Sequence, residues 1–446
     1  MTDKPIIIKK SSQRAIETQP DVQFVPRFTD LNGVIKDYRQ KAWQLYQARP
    51  LPIGTEEEWR RTSIKAVDFS GFELVNGNNY PASEFPTSLS APVAGEKNGG
   101  QLLLSPVNSH LTLEPSIVEQ GVVFGPLKEI VQSHPELVEK LLNEIHPDNG
   151  KFSTLASALD FNGVLLYVPR DTKVELPLQS VYWAPAAGFA HAIHILVYLE
   201  PGSSATYVHE AGSSDGVGKD SLHAGLMDIH VGAGAHLNFV ELQSWGENVI
   251  NFTQENIYVE RDGSVDWIFG ALGSKLTKNF SNLNLVGQGS TGKMSGFYFT
   301  DNEQHLDHDT QQNHLAPNTT SDLLFKGALL DKSRSVWQGM IYVAPDATKT
   351  DGYQANRNLV LSRQARADSI PGLEILTDDV RCTHGATVGK IDQEQVFYLE
   401  SRGMTREQAE RLIVEGFFDP IMQRIPFEGV KSRFQDAIKE KMEHIG

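Results

Sequence analysis

Apolar positions change their period twice along this 446-residue chain, from helical to alternating and back. Leu31, Val34, Ile35, Tyr38, Ala42 and Leu45 recur at helical spacing until Pro50 and Pro52, which predicts an amphipathic helix. A second helical stretch opens near Pro126 with Leu127, Ile130 and Val131. It resumes after Ser133 with Leu137, Val138, Leu141, Leu142 and Ile145, and Pro135 suits its first turn. Residues 1–29 show no sustained period and contain Pro20 and Pro26, so they read as a loosely held arm; residues 76–100, rich in Asn, Gly, Pro and Ser, read as a loop. Residues 1–150 are therefore expected to form an N-terminal helical region with a flexible arm.

Over residues 151–385 the period becomes two. Ile193/Ile195/Val197/Leu199, Met227/Ile229/Val231, Ile257/Val259, Leu283/Leu285, Phe297/Phe299, Ile341/Val343, Leu359/Leu361 and Leu373/Ile375 are alternating sets that predict many short strands. Pro201-Gly202, Gly232-Ala233-Gly234, Asp262-Gly263 and Gly287-Gln288-Gly289 fall between them as turns. The phrases LEPGSSATY, HVGAGAHL and VERDGSVDW form a degenerate repeat when Ala205, Ala235 and Val265 are aligned. Similar strand–turn units without helical crossovers suit a β-solenoid; a β-sandwich is the rival. Residues 386–446 are expected to be helical again. Thr405 and Gln408 form a capping box before Ala409, Leu412, Ile413 and Phe417, with Asp419-Pro420 as the stop. Val430, Phe434, Ile438 and Met442 then make a stripe to be buried on the chain's own domain or on a partner.

Charge narrows the functional classes. The 56 acidic against 40 basic residues give a net charge of −16, which disfavours nucleic-acid and anionic-membrane binding. A single cysteine rules out an intramolecular disulfide and an all-cysteine cluster site within one chain, and suits a reducing compartment such as the cytoplasm. The only early apolar run, Ile6-Ile7-Ile8, is too short for a signal-peptide core, and nowhere do 18 apolar residues follow one another, so a soluble, unexported protein is expected.

The candidate chemistry begins at that cysteine, Cys382, two positions before His384. Thiolate and imidazole are ligands that iron, zinc and copper favour, and at i, i+2 on a strand they share a face. The pair supplies two ligands and needs others from elsewhere; the bland alternative is a buried cysteine beside a hydrogen-bonded histidine. Imidazole is also the more labile ligand, which suits a cluster that must be released. His305, Asp307, His308, Asp309 and His314 are the densest set of other donors. They lack the spacing of a HExxH or CxxC site, and hydrogen bonding between coils is the favoured reading. Gly287 to Lys293 imitates a phosphate-binding loop, but Met294 replaces the required hydroxyl and a strand follows where a helix is needed, so it reads as a turn. Hydrolase chemistry at Cys382 lacks a base aimed at the sulfur.

From Gln304 to Phe418 the chain resembles the SufB/SufD family of iron–sulfur cluster assembly proteins, and more specifically its SufD branch. The resemblance lies in His308-Asp309-Thr310 with His314, SDLLFKG (321–327), Asn356-Arg357-Asn358-Leu359, Pro371-Gly372-Leu373-Glu374-Ile375, CTHGATVG (382–389) and FYLESRG (397–403), in the family's order. Glu58-Trp59-Arg60-Arg61-Thr62 resembles a short N-terminal signature of the family. Glycine at 385, where the SufB-like sister usually has glutamate, and the absence of a second cysteine point to the SufD branch; Thr383 stands where serine is frequent. The resemblance implies a mainly β fold, a central right-handed parallel β-helix flanked by N-terminal and C-terminal helical regions. It implies a non-catalytic scaffold subunit that helps build and transfer clusters and supports iron acquisition. A SufB-like subunit would pair through the β-helix and a SufC-like ATPase through the C-terminal helices, with a homodimer as a further state. His384, followed by Cys382, would hold a transient cluster shared with the SufB-like partner; a reduced flavin is associated with such complexes. Two rivals from other classes remain: a structural solenoid homo-oligomer, and a β-helix enzyme acting on acidic polysaccharides through Asp301, Asp307 and Asp309 with calcium.

Overall fold

A computed structural model describes residues 19–28, 33–76, 78–81, 84–93, 97–145, 148–159, 162–216 and 218–443. Their centre is a β-solenoid of about eight coils, built from two ten-stranded sheets whose solenoid strands all pair in parallel. Successive strands alternate between the sheets. Gly163–Val168, Phe189–Leu199, Ser221–Val231 and Val249–Val259 stack in one; Leu178–Trp183, Ser204–Gly212, His236–Ser244 and Ser264–Ala271 stack in the other. The expected strand sets all fall on strands, with Leu361 one residue beyond the Asp351–Val360 strand.

One-to-one register turns the period of two into columns of side chains along the axis. One inward column runs Tyr207, Phe239, Trp267, Met294 and Leu323, every member buried. The turns stack as well. Gly202, Gly234, Asp262, Gly289 and Asn318 all hold positive φ, and the N–H of each donates to a carbonyl of the next coil. Left-handed backbone favours Gly, Asn and Asp, which is why those residues punctuate the repeat. The register corrects one alignment: Leu237, not Ala235, stands level with Ala205 and Val265, because the turn residues Gly202, Gly234 and Asp262 set the frame.

The N-terminal region is less purely helical than expected. The helices Gly33–Ala48, Leu127–Ser133 and Pro135–Glu144 are present, with Pro135 in the first turn. The strands Gly100–Leu104, Ser109–Leu113 and Val123–Pro126, however, join the two sheets and cap the first coil. Sheet edges there recruit short apolar segments that carry no long period of their own. The helix Lys151–Ala158 follows directly past the expected boundary at 150, and the strand Arg381–Lys390 crosses the one at 385. Most of the arm read over residues 1–29, and Leu31, lie outside the described residues. The described part is held: Gln19 donates to the Ile64 and Val67 carbonyls, and Asp21 takes a hydrogen bond from Tyr46 and pairs with Lys151 at 2.5 Å.

At the other end, the capped helix Arg406–Met422 and the helix Glu428–Glu443 fold back over the outer face of one sheet. The first runs through Pro420 rather than stopping there. A proline in the last turn forfeits a single bond, and Gln423 N–H still reaches the Asp419 carbonyl at 2.9 Å. The stripe Val430, Phe434, Ile438 and Met442 is buried on the chain's own domain, with the Phe434 ring 4.0 Å from Phe297. Arg433 pairs with buried Glu210 at 3.2 Å, and Lys441 with Asp301. Among the described residues no helix is long and apolar enough to cross a membrane.

Candidate functional site

The strand Arg381–Lys390 is the last of its sheet and pairs on one side alone, with Asp351–Val360; Arg366–Ile375 ends the other sheet in the same way. The solenoid thus has an open end, and its interior columns surface there. His384 occupies the rung after Gln354 in the column that carries Trp267 and Leu323. Gln354 is fully buried and donates to the carbonyls of Gly339 and Gly372 on the facing sheet, at 3.2 and 2.9 Å. His384 has the same inward registry but no further coil above it, so it is exposed.

Cys382 lies on the same face, about 7 Å away along the strand. It is half-buried beside Gly352 and packs with Ile341, Val343 and Ala347. A Cβ on Gly352 would stand 3.3 Å from both Cys382 Sγ and His314 Nε2, so a larger residue there would crowd both side chains. His314 is held by Thr319 Oγ1 at 2.7 Å and Ser321 Oγ at 2.8 Å, and burial lowers its pKa to about 4. Burial pushes the Cys382 thiol above its usual range and Asp351 adds to this, while a backbone hydrogen bond at Gly352 opposes. In the chain by itself the sulfur is a thiol, and any metal must displace its proton.

The other donor set is split by strand alternation. His308 and His314 point inward; His305, Asp307 and Asp309 point outward, under the N-terminal region. His308 lies among Phe269, Tyr298 and Phe325, and burial lowers its pKa to about 3. Thr62 donates to Asp307, and the fully buried Lys278 pairs with Asp307 at 3.1 Å and Asp309 at 2.8 Å. Among the described residues no three His, Cys, Asp or Glu side chains converge to hold a metal ion. The aspartates of the polysaccharide alternative are each committed to a lysine, Asp301 to Lys441 and the other two to Lys278. Gly287 to Lys293 forms the turn into the Thr291–Thr300 strand, and Lys293 pairs with Asp266 at 3.1 Å.

Gln354 and Gly352 were not singled out by motif. Only the register, which sets them beside His384 and Cys382, reveals them. Chemically, the open end offers one sulfur and one nitrogen donor on a single face. That is half of what a four-coordinate iron or zinc requires.

Comparison with known proteins gives a consistent result. Residues 28–180 match the SufBD protein N-terminal region, and residues 182–417 match the SufBD core domain of the SUF system for FeS cluster assembly. Iron–sulfur cluster assembly SufBD family proteins of Staphylococcus saprophyticus and Staphylococcus aureus are each 31% identical over 321 residues, covering 71% of this chain and 68% of theirs. A Staphylococcus epidermidis protein of the same description is 30% identical over the same span.

Proposed function

Because the chain belongs to the SufBD family of iron–sulfur cluster assembly proteins, we propose that it is the SufD-type subunit of a cluster-assembly scaffold. The observation that carries this reading is His384, exposed at the end of an otherwise buried column where two sheets finish on unpaired edges. Such edges favour pairing with another solenoid, since their backbone donors and acceptors need partners. The partner in this reading is a SufB-like subunit whose cysteine completes the ligand set begun by His384 and, with it, Cys382. The cluster is cargo, built there, handed on, and fed by the iron the complex acquires.

The chain itself is read as non-catalytic, its ATP hydrolysis supplied by a SufC-like subunit in the cytoplasm. Phe397 and Tyr398, 71% and 55% exposed on the helix Gln393–Glu400, support docking at the C-terminal helices. ATP-driven closure of two such ATPase subunits would strain the solenoid interface and open His384 to iron and sulfide. The flavin that accompanies such complexes finds no glycine-rich helix entry here, since Gly287 to Lys293 is a turn between strands, and no step is assigned to it.

The test is anaerobic co-purification with SufB-like and SufC-like partners, reconstitution with iron and sulfide, and quantification of both for wild type and His384→Ala. Loss of cluster from an intact complex supports the reading. Unchanged content leaves the chain a structural partner, the role that the same open edges would serve in a homo-oligomer.

A further inference from the structure

A cleft of about 640 Å³ lies on the outer face of the other sheet, opposite to the inward face that carries Cys382 and His384, and reaches the last strand of its sheet at Pro371 and Gly372. Its floor crosses five adjacent strands along the row Gln254, Phe280, Asp309, Gln338 and Ile370. At the usual strand spacing that row is about 19 Å long, the span of roughly six extended residues. A second row beside it holds Asn282, Gln311 and Met340. One wall is the segment around Pro52 and Trp59, and the far wall is Pro371 to Glu374 of the last strand.

Charge in the cleft is one-sided. Among the described residues its three cations are all paired: Arg49 with Asp148 at 2.5 Å, Lys151 with Asp21 at 2.5 Å, and Lys278 with Asp307 at 3.1 Å and with Asp309 of the floor at 2.8 Å. Glu56, Glu58 and Glu374 stand exposed around the rim, while Asp309 in the floor is taken up by Lys278 and Gln338. The half-buried Phe280, Met340 and Ile370 interleave apolar surface with the amides.

We infer that this cleft is a docking groove for an extended, basic peptide segment of a partner protein, lying along the solenoid axis. The amide oxygens of Gln254 and Gln338 offer acceptors to an extended main chain, Phe280, Met340 and Ile370 offer apolar contact to its side chains, and the rim carboxylates Glu56, Glu58 and Glu374 select Lys and Arg. A nucleic acid or acidic peptide meets the wrong charge. The cleft uses the outer face of its sheet and the proposed cluster site the inner face of the opposite one, and they meet at the edge strand Arg366–Ile375.

The experiment is calorimetric titration of the full-length chain with an amidated hexapeptide alternating Lys or Arg with Val, against the same peptide with Glu for each basic residue. Saturable binding of the basic peptide, weakened by salt and by about tenfold or more in Glu58→Gln/Glu374→Gln, is expected, with none for the acidic peptide. Those rim residues are exposed, so the variant keeps its fold. Equal affinity for both peptides, no binding, an unaffected rim variant, or displacement by spermidine as readily as by the unlabelled peptide overturns the inference.

Discussion

Gln354 and His384 are register partners on the last two strands of one sheet, and between them the interior of the solenoid passes from buried to open. The rung before Gln354 is Leu323, wholly apolar; Gln354 binds two carbonyls of the facing sheet; His384 has the same orientation and faces outward along the axis. A polar residue at the penultimate rung suits a column that is about to meet water or a second protein.

His384→Ala is expected to leave the stability of the isolated chain within about 0.5 kcal/mol of wild type, because an exposed end rung gives up little packing. Gln354→Ala removes two buried hydrogen bonds, at a cost of about 1–3 kcal/mol. Urea titrations of both variants decide this. A large loss for His384→Ala would make it a structural residue rather than a site residue.

Cys382 should react slowly with iodoacetamide. Its sulfur is half-buried and its thiol is pushed up, so both access and thiolate fraction are low. At pH 8 its rate is expected to fall about tenfold or more below that of N-acetylcysteine, and to climb steeply with pH. Parity with the free thiol would remove the packed environment assigned to it.

Glu241 and Glu255 face each other inside the solenoid, fully buried, and burial pushes both carboxyls above their ordinary range, Glu241 further still through the neighbouring Glu255. The folded state therefore keeps protons that the unfolded chain releases. The pair's contribution to stability is fully present below the ordinary carboxylate range and is lost as pH rises from about 4.5 towards the raised folded value near 7, against the opposite trend of buried histidines such as His223 and His314. Denaturation midpoints at pH 5 and pH 8, compared between wild type and Glu255→Gln, should show the variant gaining relative to wild type as pH rises. An unchanged slope in the variant would assign the pH dependence elsewhere.

Phe434→Ala should free the C-terminal helices. The ring fills the space between Phe297 and Phe418, with centroids 4.0 and 4.9 Å away, and its truncation costs about 3–5 kcal/mol. Limited proteolysis is expected to cut first between the helices Arg406–Met422 and Glu428–Glu443. A protease pattern identical to wild type would contradict the packing.

Much of this architecture was legible in one dimension, and the reasons are local. Alternating sets such as Ile193 to Leu199 encode strands, Gly202 and Gly234 encode turns, Thr405 with Gln408 encodes a helix start, and the Phe434 stripe encodes a buried face. Each acts within a few residues, where covalent spacing and side-chain direction set the outcome. The short strands Gly100–Leu104 and Val123–Pro126 were not legible, because their partners lie in Leu178–Trp183 and Gly163–Val168 and a sheet edge, not a local period, makes them strands. The pairing of Cys382 with His384 on one face could be read from their spacing alone.

What no local pattern could supply is which residues meet across coils. Cys382 and His314 both pack against Gly352 although they lie 68 positions apart in the chain, and the donors from His305 to His314 part company because alternate side chains leave by opposite faces. The sequence by itself determined the strands and turns of the solenoid, the long helices at either end and the donor types available at Cys382 and His384. Tertiary structure decided that those donors stand at an open end and that Asp307 and Asp309 are tied to Lys278. It did so because stacking brings together residues about thirty positions apart, a distance at which chain periodicity carries no information and only register and packing do.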